Sequence, residues 1–406
     1  MASRLPLLVA VCLLASALGR AKSQSNTLSR PSLTTIPIRV ADHLVYMNGQ
    51  INGSRRLSVV LDTGSSLTVV ATNVANEIAL RPEGSAEAAG IGHGSSQKLR
   101  YAEDVHLFWG DDPARLSIDH QRIAIFTIGF VADQVGVPTD AIFGGNVFRN
   151  FRVTVDYDRE RATFGPPSSA VEDAGGSIPI KIYGDTPYVQ AVLKSADGSG
   201  VIGLFLLDSG TTGALVLNQK FLSAHPQVTN GRKFVDAPSA NAVGGRIDMR
   251  LVRIAGLDFG SFHFSEPVAA VPNSSAGTFA NPEIAGFIGA EILRRFIVSW
   301  DYAHEQVFLK PDSHLADAFE ADASGLRLTV TPPDFGTIRV AVVLADSPAA
   351  EAGLRAGDVI TTVDGKSGLE LWRIAEELKR PGAAPALSIL RDGKALTITL
   401  HLRRLV

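Results

Sequence analysis

Leu57-Ser-Val-Val-Leu-Asp-Thr-Gly-Ser-Ser-Leu-Thr-Val-Val70 is the stretch on which the reading of this chain turns. An apolar run delivers Asp62-Thr63-Gly64-Ser65 and then resumes. An ionisable group set between strand-forming residues is costly to bury unless it has a partner. The sequence supplies one. Val201-Ile-Gly-Leu-Phe-Leu-Leu-Asp-Ser-Gly-Thr-Thr-Gly-Ala-Leu-Val-Leu217 repeats the pattern, with Asp208-Ser209-Gly210-Thr211 at its centre.

The repetition extends outward from the two aspartates. Ser177-Ile-Pro-Ile-Lys-Ile182 echoes Thr35-Ile-Pro-Ile-Arg-Val40. Gly286-Phe-Ile-Gly-Ala-Glu-Ile-Leu-Arg-Arg-Phe-Ile-Val-Ser-Trp-Asp-Tyr302 echoes Ala141-Ile-Phe-Gly-Gly-Asn-Val-Phe-Arg-Asn-Phe-Arg-Val-Thr-Val-Asp-Tyr157. The separations are 142 for Thr35 to Ser177, 146 for Asp62 to Asp208, and 145 for Gly144 to Gly289 and for Asp156 to Asp301. Landmarks recurring in the same order at nearly constant spacing imply an internal duplication. Gly165-Pro-Pro-Ser-Ser169 and Ala174-Gly-Gly176 punctuate the join. The halves are therefore taken as 35–165 and 177–310.

Two carboxylates held about 3 Å apart cannot both ionise, so they share a proton. One then deprotonates a water while the other protonates or hydrogen-bonds a carbonyl, which is general acid–base hydrolysis of an amide. No metal and no cofactor enters. The glycines Gly64 and Gly210 let backbone approach the carboxylates without a Cβ clash. Ser65 and Thr211 are expected to donate to the outer carboxylate oxygens, and Thr63 and Ser209 to bond across the two-fold axis. The two acids titrate as a pair, and the sequence does not assign the base. These loops resemble the paired active-site loops of aspartic proteases. Ile142-Phe143-Gly144 and Phe287-Ile288-Gly289 resemble that family's later strand, whose glycine passes close to the aspartate loop. The wording around Gly145–Tyr157 is more retropepsin-like than pepsin-like. The resemblance covers roughly residues 35–310 and implies two β lobes with an active site between them, acting on peptide or protein substrates. The sequence departs from pepsins at the candidate flap, Gly90-Ile-Gly92-His-Gly94, which lacks a Tyr-Gly signature. Gly244 and Gly245 are its counterparts in the second half. The lead-in before the first strand is short for an inhibitory pro-segment, so no zymogen is expected.

The last segment changes character. Ser347-Pro-Ala-Ala-Glu-Ala-Gly-Leu-Arg-Ala-Gly-Asp-Val-Ile360 resembles the bacterial PDZ domains appended to exported proteases. A helical run over Leu369–Lys379 places Leu371, Ile374, Ala375 and Leu378 on one face, and Arg391-Asp-Gly-Lys394 reads as a tight hairpin. The resemblance covers about 325–404. It implies peptide capture by strand addition, with backbone N–H groups receiving a terminal carboxylate. Gly325, Leu326, Arg327 and Leu328 are the candidate peptide-binding residues. The alanine-rich 311–324 reads as a linker, so a chain ending at Lys310 is expected to fold and to cleave short peptides.

The fold class expected is mainly β: two duplicated retropepsin-like lobes followed by an α+β PDZ domain. The chain has 406 residues, 45% hydrophobic and 19% charged, enough for several cores. A net charge of −3 with no basic run gives no electrostatic case for nucleic acid. Met1–Gly19 has Arg4, an apolar core and small residues at Ala15, Ala17 and Gly19, the pattern of a cleaved signal peptide. Residues 20–34 are a flexible lead-in. An exported protein, periplasmic or secreted, with no stable membrane span after cleavage follows. The one cysteine, Cys12, lies in this signal, so no disulfide or thiolate site is expected in the mature chain. His-Glu-x-x-His and Gly-x-Ser-x-Gly are absent. The competing class is a paired-lobe peptide-binding protein without catalysis. A single active lobe working only as a homodimer is disfavoured because both halves carry an aspartate.

Overall fold

The computed structural model describes residues 14–15, 33–89, 97–112, 115–169, 175–242, 245–273 and 277–406. Most of the expected signal and lead-in therefore lies outside the described residues. So do Gly90, Gly92, Gly94 and Gly244.

The fold is mainly β, and its two lobes repeat one topology. In the first, Leu57–Leu61 pairs in parallel with Ala141–Phe143, which pairs antiparallel with Val69–Ala71, which pairs in parallel with Leu116–Phe126. In the second, Gly200–Asp208, Ile284–Gly289, Leu215–Leu217 and Val268–Pro272 do the same in the same order. The short strands at the centre, Val69–Ala71, Ala141–Phe143 and Leu215–Leu217, are wholly buried apolar runs because both faces are covered. Each lobe also carries a long hairpin. Gly84–Ala89 pairs with Gln97–Trp109, and Phe234–Ala242 with Gly245–Arg253. Gly245 lies at φ +96, a backbone conformation that favours glycine.

The lobes are joined beneath by a six-stranded sheet. Its central pair is Arg152–Asp156 against Phe296–Asp301, with Thr154 opposite Ser299 and their hydroxyls 2.7 Å apart. Those residues are 145 apart in sequence, the spacing at which the sequence landmarks recur. The first edge strand, Thr34–Pro37, starts one residue ahead of the expected lobe boundary. Asn52-Gly53 and Asp392-Gly393 form turns with positive φ at both positions, as tight hairpins require. Asp42-His43 does the same without a glycine.

The carboxy-terminal sheet runs Leu326–Thr331, Asp334–Val343, Val359–Val363, Ala386–Arg391, Lys394–Thr399. Its helix, Leu371–Glu377, is shorter than the expected run; Leu371, Ile374 and the following Leu378 are buried, as the periodicity predicts. This sheet does not hang on a free tether. Leu326–Thr331 packs against the first-lobe helix Gly129–Val135, Thr329 Oγ1 donates to Asp133 O at 3.3 Å, and Arg39 pairs with Glu370. Residues 311–324 are likewise no loose linker. Phe319 and Ala323 are buried, and the carbonyls of His314, Leu315 and Asp317 receive Nη1 of the buried Arg295. The compositional reading failed here because alanine and acid content says nothing about which carbonyls a distant guanidinium will need.

Candidate active site

Asp62 and Asp208 end equivalent strands and are both fully buried. Each carboxylate lies against the other loop's glycine. A Cβ on Gly64 would fall 2.4 Å from Asp208 Oδ1, and one on Gly210 would fall 2.4 Å from Asp62 Cγ. Only glycine fits at either position. Gly144 and Gly289 are held as tightly: a Cβ on Gly144 would meet the Ser65 and Leu67 carbonyls at 2.5 Å, and one on Gly289 the Gly213 carbonyl at 2.1 Å. The backbone is tied at the same points, Gly145 N to Ser65 O and Ala290 N to Thr211 O, both 2.7 Å.

Thr63 and Ser209 interlock across the two-fold. Thr63 Oγ1 donates to Leu207 O at 2.7 Å and accepts from Ser209 N at 3.0 Å. Ser209 Oγ donates to Leu61 O at 3.2 Å and accepts from Thr63 N at 3.0 Å. Four charge-free bonds thus fix the separation of the two acids.

The outer hydroxyls are not equivalent. Thr211 Oγ1 donates to Asp208 Oδ2 at 2.8 Å. Ser65 Oγ instead donates to Leu67 O at 2.7 Å, which corrects the expectation that it serves Asp62. Asp62 Oδ1 accepts from Gly64 N at 2.7 Å, while its Oδ2 is buried with no donor. Asp208 Oδ1 accepts from Gly210 N at 2.9 Å. Burial, then the charge of Asp208, push Asp62 well above the usual carboxylate range. Burial also raises Asp208, but Thr211 and Gly210 oppose it. The donors around Asp208 thus favour its ionised form more than those around Asp62 do. A pH test follows. Thr211→Ala removes a donor from the ionised form, so the acid limb of kcat/KM against pH moves up by about one unit. Ser65→Ala leaves that limb in place. Equal shifts in the two variants would contradict this asymmetry.

Other site residues were not legible in the sequence. Asn146 Oδ1 accepts from Thr68 N and Oγ1 at 3.0 and 2.8 Å and braces the first aspartate loop from behind. His43 Nδ1 lies 2.8 Å from Thr212 O, just past the second loop. Because a carbonyl only accepts, Nδ1 holds the proton. Burial and the nearby Lys379 push His43 down to about 3, so the ring is neutral. The Asp-His turn was the one available signal.

The candidate peptide-binding residues of the last domain line a cavity rather than an open face. Leu326, Arg327 and Leu328 form one wall, Leu371, Trp372 and Lys379 another, and Thr212-Gly213-Ala214 a third. Gly325 lies at φ +79 outside the cavity lining, and its N–H donates to Asp322 Oδ2 at 2.6 Å. Ser324 N donates to the same oxygen at 3.2 Å, and Leu326 N to Ser324 Oγ at 3.0 Å. The chain's own carboxylate thus occupies loop N–H groups that the PDZ resemblance assigns to a ligand.

Asp104, His106 and His120 come together on two bulged strands, offering ligand atoms within 4.8 Å of one another. They are arranged as His–carboxylate pairs, His106 with Asp119 at 2.8 Å and His120 with Asp104, with side chains 37–71% exposed. That is the geometry of solvated ion pairs.

Residues 339–387 match the PDZ domain family. Over 67 residues, 16% of this chain, the sequence is 40% identical to the periplasmic serine endoprotease DegP of Salmonella typhimurium and to that of Escherichia coli K12. The chain spans 14% of the length of these relatives. Among solved structures, an aspartic proteinase from Irpex lacteus is 13% identical, with 70% of this chain and 99% of that one covered and a TM-score of 0.44. A photosystem II D1 C-terminal processing protease is 27% identical over 21% of this chain and 24% of its own, with a TM-score of 0.20. The fold itself follows from the strand pairings. Among the described residues, no helix is long and apolar enough to cross a membrane.

Proposed function

We propose that this chain is an aspartic-type endopeptidase that hydrolyses peptide bonds with water activated between Asp62 and Asp208. The reading is carried by one observation: two fully buried acids, each lying against the other loop's glycine, on loops that interlock through Thr63 and Ser209. A buried carboxyl pair serving only stability would be a poor use of desolvation, since packed apolar residues do as well. Asp208, kept ionised by Thr211 and Gly210, takes a proton from water as its oxygen bonds to the substrate carbonyl carbon. Asp62 gives its proton to the carbonyl oxygen. Collapse of the tetrahedral species breaks the C–N bond: the amine leaves with the proton that Asp208 received, and a diol hydroxyl returns a proton to Asp62 as the new carbonyl forms. The lobes are taken as 35–165 and 177–310 and the PDZ domain as 325–404. The leader 1–19 directs the protein out of the cytoplasm, to the periplasm or medium. The PDZ domain recruits peptide or protein substrates.

The test is cleavage of a mixed peptide pool, with new termini read by mass spectrometry. Wild type should cut, and a peptide bearing a secondary alcohol in place of the scissile carbonyl should inhibit, because it mimics the tetrahedral species. A folded wild type that cuts nothing yet binds that alcohol would instead support the non-catalytic peptide-binding reading.

A further inference from the structure

Two turns cross between the lobes, and they are braced differently. Gly184-Asp185 of the second lobe reaches the first. Its backbone lies so close to Gly145 that a Cβ there would meet Asp185 O at 2.3 Å. The Asp185 carboxylate pairs with Arg149, on the helix that follows the Gly144 strand. Asp42-His43 of the first lobe makes the reciprocal crossing and meets Thr212 O. In the matching hairpin registers His43 stands where Asp185 does and Asp42 where Gly184 does, so the acid of this turn lies one residue earlier; Arg294 is the residue 145 after Arg149. Arg294 makes its ion pair with Asp317 at 3.1 Å, while its charge still reaches His43, Glu291 and Glu376. The cation that answers Asp42 comes from the PDZ domain: Lys379 Nζ is 3.8 Å from Asp42 Oδ1 and 2.6 Å from Glu376 Oε1.

The acids around that cation are also particular to this crossing. Glu291 stands where the repeat has Asn146, and its charge acts on Lys379 together with those of Glu376 and Asp42. Three carboxylates therefore face the Lys379 ammonium at a point largely withdrawn from water, with Asp42 14% and Lys379 26% exposed; Arg294 also acts on Glu291 and Glu376, whereas the cation acting on Asp42 is Lys379. Without the ammonium these carboxylates repel one another or take up protons, and the tie from Lys379 to the Asp42-His43 turn is lost.

We propose that Lys379 is a positioning residue of the active site: it ties down Asp42 in the second crossing and thereby holds His43 on Thr212, so that the Asp208 loop keeps its place opposite Asp62. This rests on the reading of Asp62 and Asp208 as the catalytic pair. It makes the PDZ domain a working part of the catalytic unit, for substrates of any length.

The experiment uses the full chain and a quenched peptide too short to reach the PDZ domain. Lys379→Met should lower kcat by about 10- to 100-fold, the effect expected of a slightly displaced catalytic group. KM should stay within about twofold, since ground-state binding is untouched. Lys379→Arg, which keeps the charge, should recover most of the lost kcat. Unchanged kcat in Lys379→Met, or a loss that arginine does not recover, overturns the proposal. If Lys379→Met does not fold, Asp42→Asn takes its place: a kcat loss at constant KM supports the brace, and full activity overturns it. Asp62→Asn, run alongside, separates the two readings. If that variant stays active the dyad is wrong; if it is dead while Lys379→Met is fully active, only the brace is wrong.

Discussion

Asp62→Asn or Asp208→Asn lowers peptide hydrolysis by at least about a thousandfold, and the double variant is no worse than either single, because paired catalytic groups act as a unit. The physical reason is the single shared proton. Asparagine at 208 cannot take a proton from water, and at 62 it cannot return one to the carbonyl oxygen. Both variants should keep the fold. The loops are held by Thr63, Ser209 and backbone bonds that involve neither carboxylate, and removing a buried charge relieves desolvation. The measurements are initial rates on the best peptide and thermal unfolding of all four proteins. Activity in either single variant at even a tenth of wild type would end the assignment. EDTA should leave the rate unchanged; a rate abolished by EDTA and restored by zinc would mean that a metal does the work assigned to Asp208.

A chain ending at Lys310 unfolds far more readily than one ending at Ser324. The difference lies in Arg295, which is fully buried. Its Nε donates to Glu291 O at 3.0 Å, but its Nη1 depends on the carbonyls of His314, Leu315 and Asp317 at 3.3, 3.2 and 2.5 Å. Its guanidinium also lies 3.8 Å from the ring centroid of Phe319, itself packed edge-on against Phe264. Ending at Lys310 removes all of these partners but Glu291 and Phe264. A buried charge left without partners costs about 3–5 kcal/mol, a large share of the 5–15 kcal/mol typical of a whole domain. The midpoint of thermal unfolding should fall by on the order of 10 °C relative to the longer truncation. Matching midpoints would show that the 312–319 segment does not hold Arg295. The Ser324 truncation retains this segment and loses Lys379, so it should fold but turn over slowly.

The mainly β class and the matching of the two aspartate loops were legible in the sequence because each depends on local pattern. An apolar run that ends in Asp-hydroxyl-Gly-hydroxyl specifies a buried strand and a tight loop wherever it occurs, and two copies 146 residues apart specify a pair. The glycines were legible for the same reason: where backbone passes within van der Waals contact of a carboxylate, the residue type is dictated. What depended on direction across space was not. Ser65 and Thr211 occupy matching positions, yet one hydroxyl turns to Leu67 O and the other to Asp208, because a hydroxyl rotor takes whichever acceptor the packed loop leaves open. Residues 311–324 read as a linker from composition, yet they are held by a guanidinium whose need for carbonyls arises only once Arg295 is buried. Lys379 looked like one more charge at a helix end. The repeat could not reveal its role, because it lies outside the repeat and meets Asp42 only once the last domain has packed against the first lobe.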